Sequence, residues 1–156
     1  MNKLSSKNNS IKKQVIKNYK NTLIIHFVHC LIFILVFSVF GDPVKPLFYT
    51  IYSIALILIY ILCGRFFLED THKFSANIIS VILPFILIII GAFNWSGALG
   101  MLCFPIDPFV GLIETTVWNV SESETMMTLL ICLLAILPSL FMLVGILSKR
   151  VRILDR

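Results

Sequence analysis

Four continuous apolar runs divide this chain, at 22–40, 47–68, 76–93 and 126–147. Each is about as long as a helix that crosses a bilayer, ~17–25 residues. The third run shows the constraint most plainly. Between 78 and 93 the only positions that are not aliphatic are Ser80, Pro84, Phe85, Gly91 and Phe93. A helix on the surface of a soluble protein would carry a polar stripe recurring every three or four residues. Here such a stripe is missing, and the chain as a whole is 58% hydrophobic and 13% charged. Soluble domains hold about 25% charged residues, so the composition points to lipid rather than water as solvent.

Lipid supplies no partner for a backbone polar group, so each run is expected to be a helix. A barrel would need many segments of ~10 residues with alternating polarity, which these runs lack. The fold class read from the sequence is therefore all-α: an integral membrane protein with four transmembrane helices. Three parts are expected: a basic N-terminal segment at 1–21, a membrane domain at 22–147, and a basic tail at 148–156.

The basic residues suggest an orientation. Lys3, Lys7, Lys12, Lys13, Lys17 and Lys20 precede the first run, Arg65 and Lys73 lie about the second connection, and Lys149, Arg150, Arg152 and Arg156 follow the last. Only Lys45 falls on the other side. The positive-inside rule then makes both termini cytoplasmic, as an even number of spans requires. The formal net charge of +5 is read as span anchoring and attraction to anionic lipid, and nucleic acid is not an expected partner.

Residues 1–10 are expected to be disordered, and the basic helix from Ser10 is expected either to lie on the inner leaflet, the preferred reading, or to extend the first span into the cytosol. The first run is longer than the ~7–15 residues of a signal-peptide core, so it is read as a retained span. Gly41, Asp42 and Pro43 form a turn, and Pro46 suits the first turn of the next helix. Spans one and two are therefore expected to form a tight antiparallel hairpin. Tyr49 and Tyr52 would sit at the outer interface. Pro84 is expected to kink the third span.

The segment 94–125 is the one long stretch that is neither a span nor a basic tail. It is too apolar between 97 and 120 for a solvated loop. It is expected to lie at the outer membrane surface or to re-enter the bilayer backed by protein, with Trp95 and Trp118 anchoring its ends. Ser121 and Glu124 have capping-box spacing before the last span.

Several residues could carry function. Trp95, Asp107, Glu114 and Trp118 would present an acidic and aromatic outer surface to a partner. Ala76, Ser80 and Pro84 share one helical face. Ala92, Ser96 and Gly100 share another if the third helix continues, and small residues at that spacing let helices approach closely. His26, His29 and Cys30 lie on one face of the first span, with Cys63 at a comparable depth. They form a candidate soft-metal or haem-ligand set, for which a polar packing contact is the plainer reading. Of the four cysteines only Cys103 is placed near the outer face, where it is read as exposed, and no disulfide framework is implied.

No glycine-rich phosphate loop, His-Glu-x-x-His motif or Gly-x-Ser-x-Gly elbow occurs, so no enzyme chemistry, cofactor or bound metal is expected. The preferred reading is a non-enzymatic accessory subunit or partner in an assembly of a bacterial cell membrane. One form of it is a protector against cationic peptides. The abundance of Ile, Lys and Asn suggests an AT-rich genome. The alternatives are a homo-oligomeric small transporter or channel, and a membrane metal or haem protein using His26, His29 and Cys30. Expected partners are membrane lipid and either another protein or further copies of the chain.

Overall fold

The computed structural model describes residues 2–40, 46–94, 98–116 and 124–154. Its elements are α1 (Asn2–Phe40), α2 (Pro46–Phe67), α3 (Phe74–Ala92), a 3-10 helix η1 (Ala98–Cys103), α4 (Asp107–Thr116), α5 (Glu124–Leu134) and α6 (Leu137–Leu154). The described residues contain helices and turns and no strand. Four stretches are long and apolar enough to cross a membrane: Asn9–Val39, Leu47–Phe67, Phe74–Ala92 and, through α5 and α6, Thr125–Lys149.

The basic N-terminal stretch is not a separate interfacial helix, and its first residues are not irregular. They form the start of α1, one uninterrupted helix of 39 residues. Neither Gly nor Pro occurs from Asn2 to Phe40, so nothing in the chain breaks the helix there. Polar side chains near its middle also tie it to the rest of the fold, as described below.

Packing joins α1 to α3, α3 to α6, and α6 to α2. The expected tight hairpin of α1 and α2 does not form. Their backbones approach each other sparingly, because they meet through large rings. His29 stacks on Tyr60 at 4.3 Å, and Phe33 meets Tyr52 edge-on at 6.0 Å. The turn proposed at Gly41–Pro43 lies outside the described residues.

The close backbone approach is instead between α2 and α6. A Cβ on Gly64 would fall 2.2 Å from the Met142 carbonyl oxygen, and one on Gly145 would fall 2.1 Å from that of Ile61. Both are backbone atoms, so any side chain would force the helices apart.

The two interior prolines behave differently. Helix α3 runs through Pro84 without interruption. The last span breaks at Ala135 and Ile136 into α5 and α6, so it is not one continuous helix. Pro138 cannot donate to the Leu134 carbonyl, and its ring crowds that group.

Exposure runs opposite to that of a soluble bundle. Leu31, Leu35, Ile51, Leu58, Ile79, Ile90, Leu129 and Leu133 are exposed, whereas Asn18, Thr22, His26, His29, Asn77 and Ser80 are buried. One apolar core joins Ile25, Leu56, Tyr60, Leu68, Val81, Met142 and Ile146. A second joins Ile88 and Ala92 of α3 to Cys103, Ile106, Val110, Ile131 and Ala135. The described part of the segment between α3 and α5, η1 and α4, is therefore a folded cap. Its helix α4 packs on α2, and η1 packs on α3 and touches α1. Tyr49 lies against Gly111 of the cap, and Tyr52 among aromatic rings, and both are half-buried.

Candidate functional site

Polar residues recur along one face of α1 at Asn18, Thr22, His26 and His29. Intervals of three and four residues place side chains on one side of a helix, and all four are buried. This face runs from one end of the bundle into its apolar interior.

At the end of the bundle the polar groups are well partnered. Asn18 Nδ2 donates to the Glu69 carbonyl at 2.9 Å and lies 3.2 Å from Ser80 Oγ. Asn18 Oδ1 accepts from the Glu69 N–H at 2.8 Å. Asn21 Nδ2 donates to the Phe67 carbonyl at 2.7 Å, and the Lys149 ammonium donates to that of Leu68. A helix end leaves carbonyls without intrahelical partners. Here α1 and α6 supply donors to the carbonyls that close α2. The following turn satisfies itself: Asn77 Nδ2 donates to Asp70 Oδ1 at 2.7 Å, and the Thr71 N–H donates to Asn77 Oδ1 at 3.0 Å. His72 takes a left-handed φ of 60° beside Asp70, whose carboxylate accepts its N–H at 2.9 Å.

Deeper along the same face the partners run out. His29 Nδ1 lies 2.7 Å from the Ile25 carbonyl, which accepts only if that nitrogen carries the proton. His29 Nε2 is then an acceptor, and it is buried without a hydrogen-bond partner. The same holds for both ring nitrogens of His26 and for Tyr60 Oη, Ser53 Oγ and Ser139 Oγ. The Leu102 main chain approaches the His26 ring, yet neither ring nitrogen meets a partner in hydrogen-bonding geometry. Beyond this set toward the cap lies an aromatic group. Phe33 packs on Phe37 at 5.2 Å and on Phe104 at 5.0 Å, and Tyr52 stacks on Phe48 at 5.9 Å.

The proposed soft-metal set is only partly assembled. His26, His29 and Cys30 are all buried on α1, and Cys63 packs at the edge of the core around Tyr60. Among the described residues, no three His, Cys, Asp or Glu side chains come together as a metal cage. The hydrogen bond at His29 Nδ1 also leaves that ring one free nitrogen.

Ala76, Ser80 and Pro84 lie buried on one face of α3. Ser80 Oγ donates to the Ala76 carbonyl at 2.8 Å and accepts from Asn18, which places this face against α1. The continuation of α3 on which a shared face of Ala92, Ser96 and Gly100 depends does not occur, because α3 ends at Ala92. The Asn94 N–H turns back to the Gly91 carbonyl at 3.0 Å. Gly100 belongs to η1, and Ser96 lies outside the described residues.

Of the outer residues, Trp95 and Trp118 lie outside the described residues, as does the side chain of Glu114 in α4. Ser121 lies outside them too, so the capping box is not described. Asp107 opens α4, where its charge suits the helix N-terminus. It is half-buried, and one carboxylate oxygen is shut off from solvent. It faces the cap interior as well as the surface, within electrostatic range of Cys103.

Cys103 is fully buried rather than exposed. Its thiol donates to the Ile88 carbonyl at 3.3 Å. Burial, and secondarily the Asp107 carboxylate, push it up to about 12.

Sequence reasoning missed Tyr60, Ser53 and Ser139 as members of the interior polar set. Tyr60 stands seven residues after Ser53 on α2, a spacing that returns to the same helical face. That spacing was the available signal. Comparison with family models, with curated proteins and with solved structures finds no match for this chain.

Proposed function

We propose that the chain is a multi-pass protein of a bacterial cytoplasmic membrane, acting without catalysis as a subunit or docking partner in a membrane assembly. The observation that carries the membrane part is the reversed exposure of the four spans. Leaving a Leu, Ile or Phe side chain in water forgoes about 1.5–3 kcal/mol of burial. Every span carries several such residues outward, and lipid removes that cost.

In this reading the basic end of the bundle lies in the cytoplasm. Support comes from the clasp: Lys17 of α1, Glu69 of the α2–α3 connection and Lys149 of α6 meet at one end. That end gathers most of the Lys and Arg of the chain, the bias that sets orientation.

The cap then stands at the outer end, and its 3-10 helix dips toward the bilayer. Its contacts support this, since Cys103 reaches Ile88, a full turn inside the end of α3. Non-helical backbone is tolerated at such depth where protein backs it. The partner role rests on the same cap. Leu102, Cys103, Ile106 and Val110 are committed to the bundle, while Leu99 and Met101 remain exposed. A surface held in place by its own core binds with less ordering cost.

The test is purification of the tagged chain from its native membrane in mild detergent, followed by mass spectrometry. A stoichiometric second protein is expected, and its loss on Leu99→Asp with Met101→Asp would place it on the cap. A chain that purifies alone or only with itself contradicts the partner role.

A further inference from the structure

The deepest part of the polar face on α1 does not belong to the partner reading and carries an inference of its own. His29 stacks on Tyr60, so these residues share one depth. His26 stands less than one turn away on α1. Gly145 lies against Gly64, and Lys149 against Leu68. Helices α2 and α6 therefore run in the same direction in register, which puts Ser139 at the level of Leu58, within one turn of Tyr60. Three helices thus bring four buried polar side chains to one level inside an apolar bundle. Each has at least one polar atom without a protein partner.

A buried polar group without a hydrogen bond is destabilising, and four at one level reinforce the cost. The chemistry of the set is complementary. With its proton on Nδ1, His29 offers an acceptor at Nε2. Tyr60 and Ser139 offer hydroxyls, and a neutral His26 offers one donor and one acceptor. Water is the ligand that serves such a set, since one molecule donates twice and accepts twice and needs about three polar partners to stay buried. The Thr22 and Asn18 positions continue the same face of α1 to the clasp, whereas Phe33, Tyr52 and Phe104 close the opposite direction with rings.

We propose that His26, His29, Tyr60 and Ser139 enclose an internal water site. The water joins the two imidazoles to the tyrosine hydroxyl; the His29 ring is held in place by its stacking on Tyr60 and its bond to the Ile25 carbonyl.

The first test uses the wild-type chain, labelled with 15N at the histidine rings, in lipid nanodiscs. Magnetisation exchange between water and the ring N–H protons of His26 and His29 is expected in the folded protein. Ring protons that show no exchange with water while the fold is intact overturn the proposal.

The second test is the sign of a stability change. Tyr60→Phe keeps the ring that stacks on His29 and removes only the hydroxyl. If the hydroxyl holds water, its loss leaves the water and the imidazole short of a partner, and the melting midpoint falls by about 2–8 °C. Ser139→Ala is expected to act in the same direction. If the hydroxyls are dry and unsatisfied, both substitutions raise the midpoint, and the water site is refuted.

Discussion

Gly64 of α2 and Gly145 of α6 meet backbone to backbone: a Cβ placed on Gly145 would fall 2.9 Å from the Gly64 Cα and 2.8 Å from the Arg65 nitrogen. No flexible side chain lies between the helices to give way. Gly64→Ala or Gly145→Ala is expected to destabilise the fold by about 1–3 kcal/mol, the usual range for overpacking. Both substitutions open the same crossing, so the double variant should cost clearly less than the sum of the two. Unfolding midpoints of the three variants in one detergent check this. Additive losses would mean that the two glycines act at separate contacts.

The clasp makes a prediction about two adjacent residues. Asn18 is fully buried and partners the Glu69 backbone and Ser80. Asn18→Ala leaves the part-buried Glu69 N–H and carbonyl without their partner, for an expected loss of about 1–3 kcal/mol. Lys17 makes an ion pair with Glu69, but its side chain is 60% exposed. Lys17→Ala should cost no more than about 1 kcal/mol, and the loss should vanish at high salt. Equal losses for the two would argue against the hydrogen-bonded clasp.

Cys103 couples the cap to pH. Its folded thiol is raised from 9.0 to about 12, by burial first and by Asp107 next. An unfolded thiol loses its proton near the ordinary value, so the protonated fold is favoured below pH 9. That stability is progressively lost as pH rises from about 9 toward 12. Cys103→Ser or Cys103→Ala should flatten this alkaline loss. A soluble maleimide at pH 8 should leave Cys103 unmodified in the folded protein and modify it after denaturation.

The apolar runs made four long helical stretches legible because they lack the polar periodicity of a soluble helix, and the structure has four stretches of membrane-crossing length and hydropathy. The polar face of α1 was harder to see. A boundary drawn at 21 and 22, where the lysines stop, separates Asn18 from Thr22 and His26, although they share one face. The close contact of α2 and α6 was hidden for another reason. Each helix contributes a lone glycine, so no small-residue repeat within either run announces it, and the partner is not a sequence neighbour. The break at Ala135 and the continuity at Pro84 depend on local packing that a proline alone does not specify. His29 and Tyr60, 31 positions apart, could be joined only once the helices were placed.

Orientation is the claim that puts the clasp in the cytoplasm and the cap on the outer face. The direct measurement is labelling of single introduced cysteines in intact cells with a membrane-impermeant maleimide. Two exposed positions serve, Lys12 on α1 and Leu99 on the cap. Leu99→Cys should be labelled from outside, and Lys12→Cys only after the membrane is opened. Labelling of Lys12→Cys in intact cells, with Leu99→Cys protected until permeabilisation, would invert the topology and contradict the account.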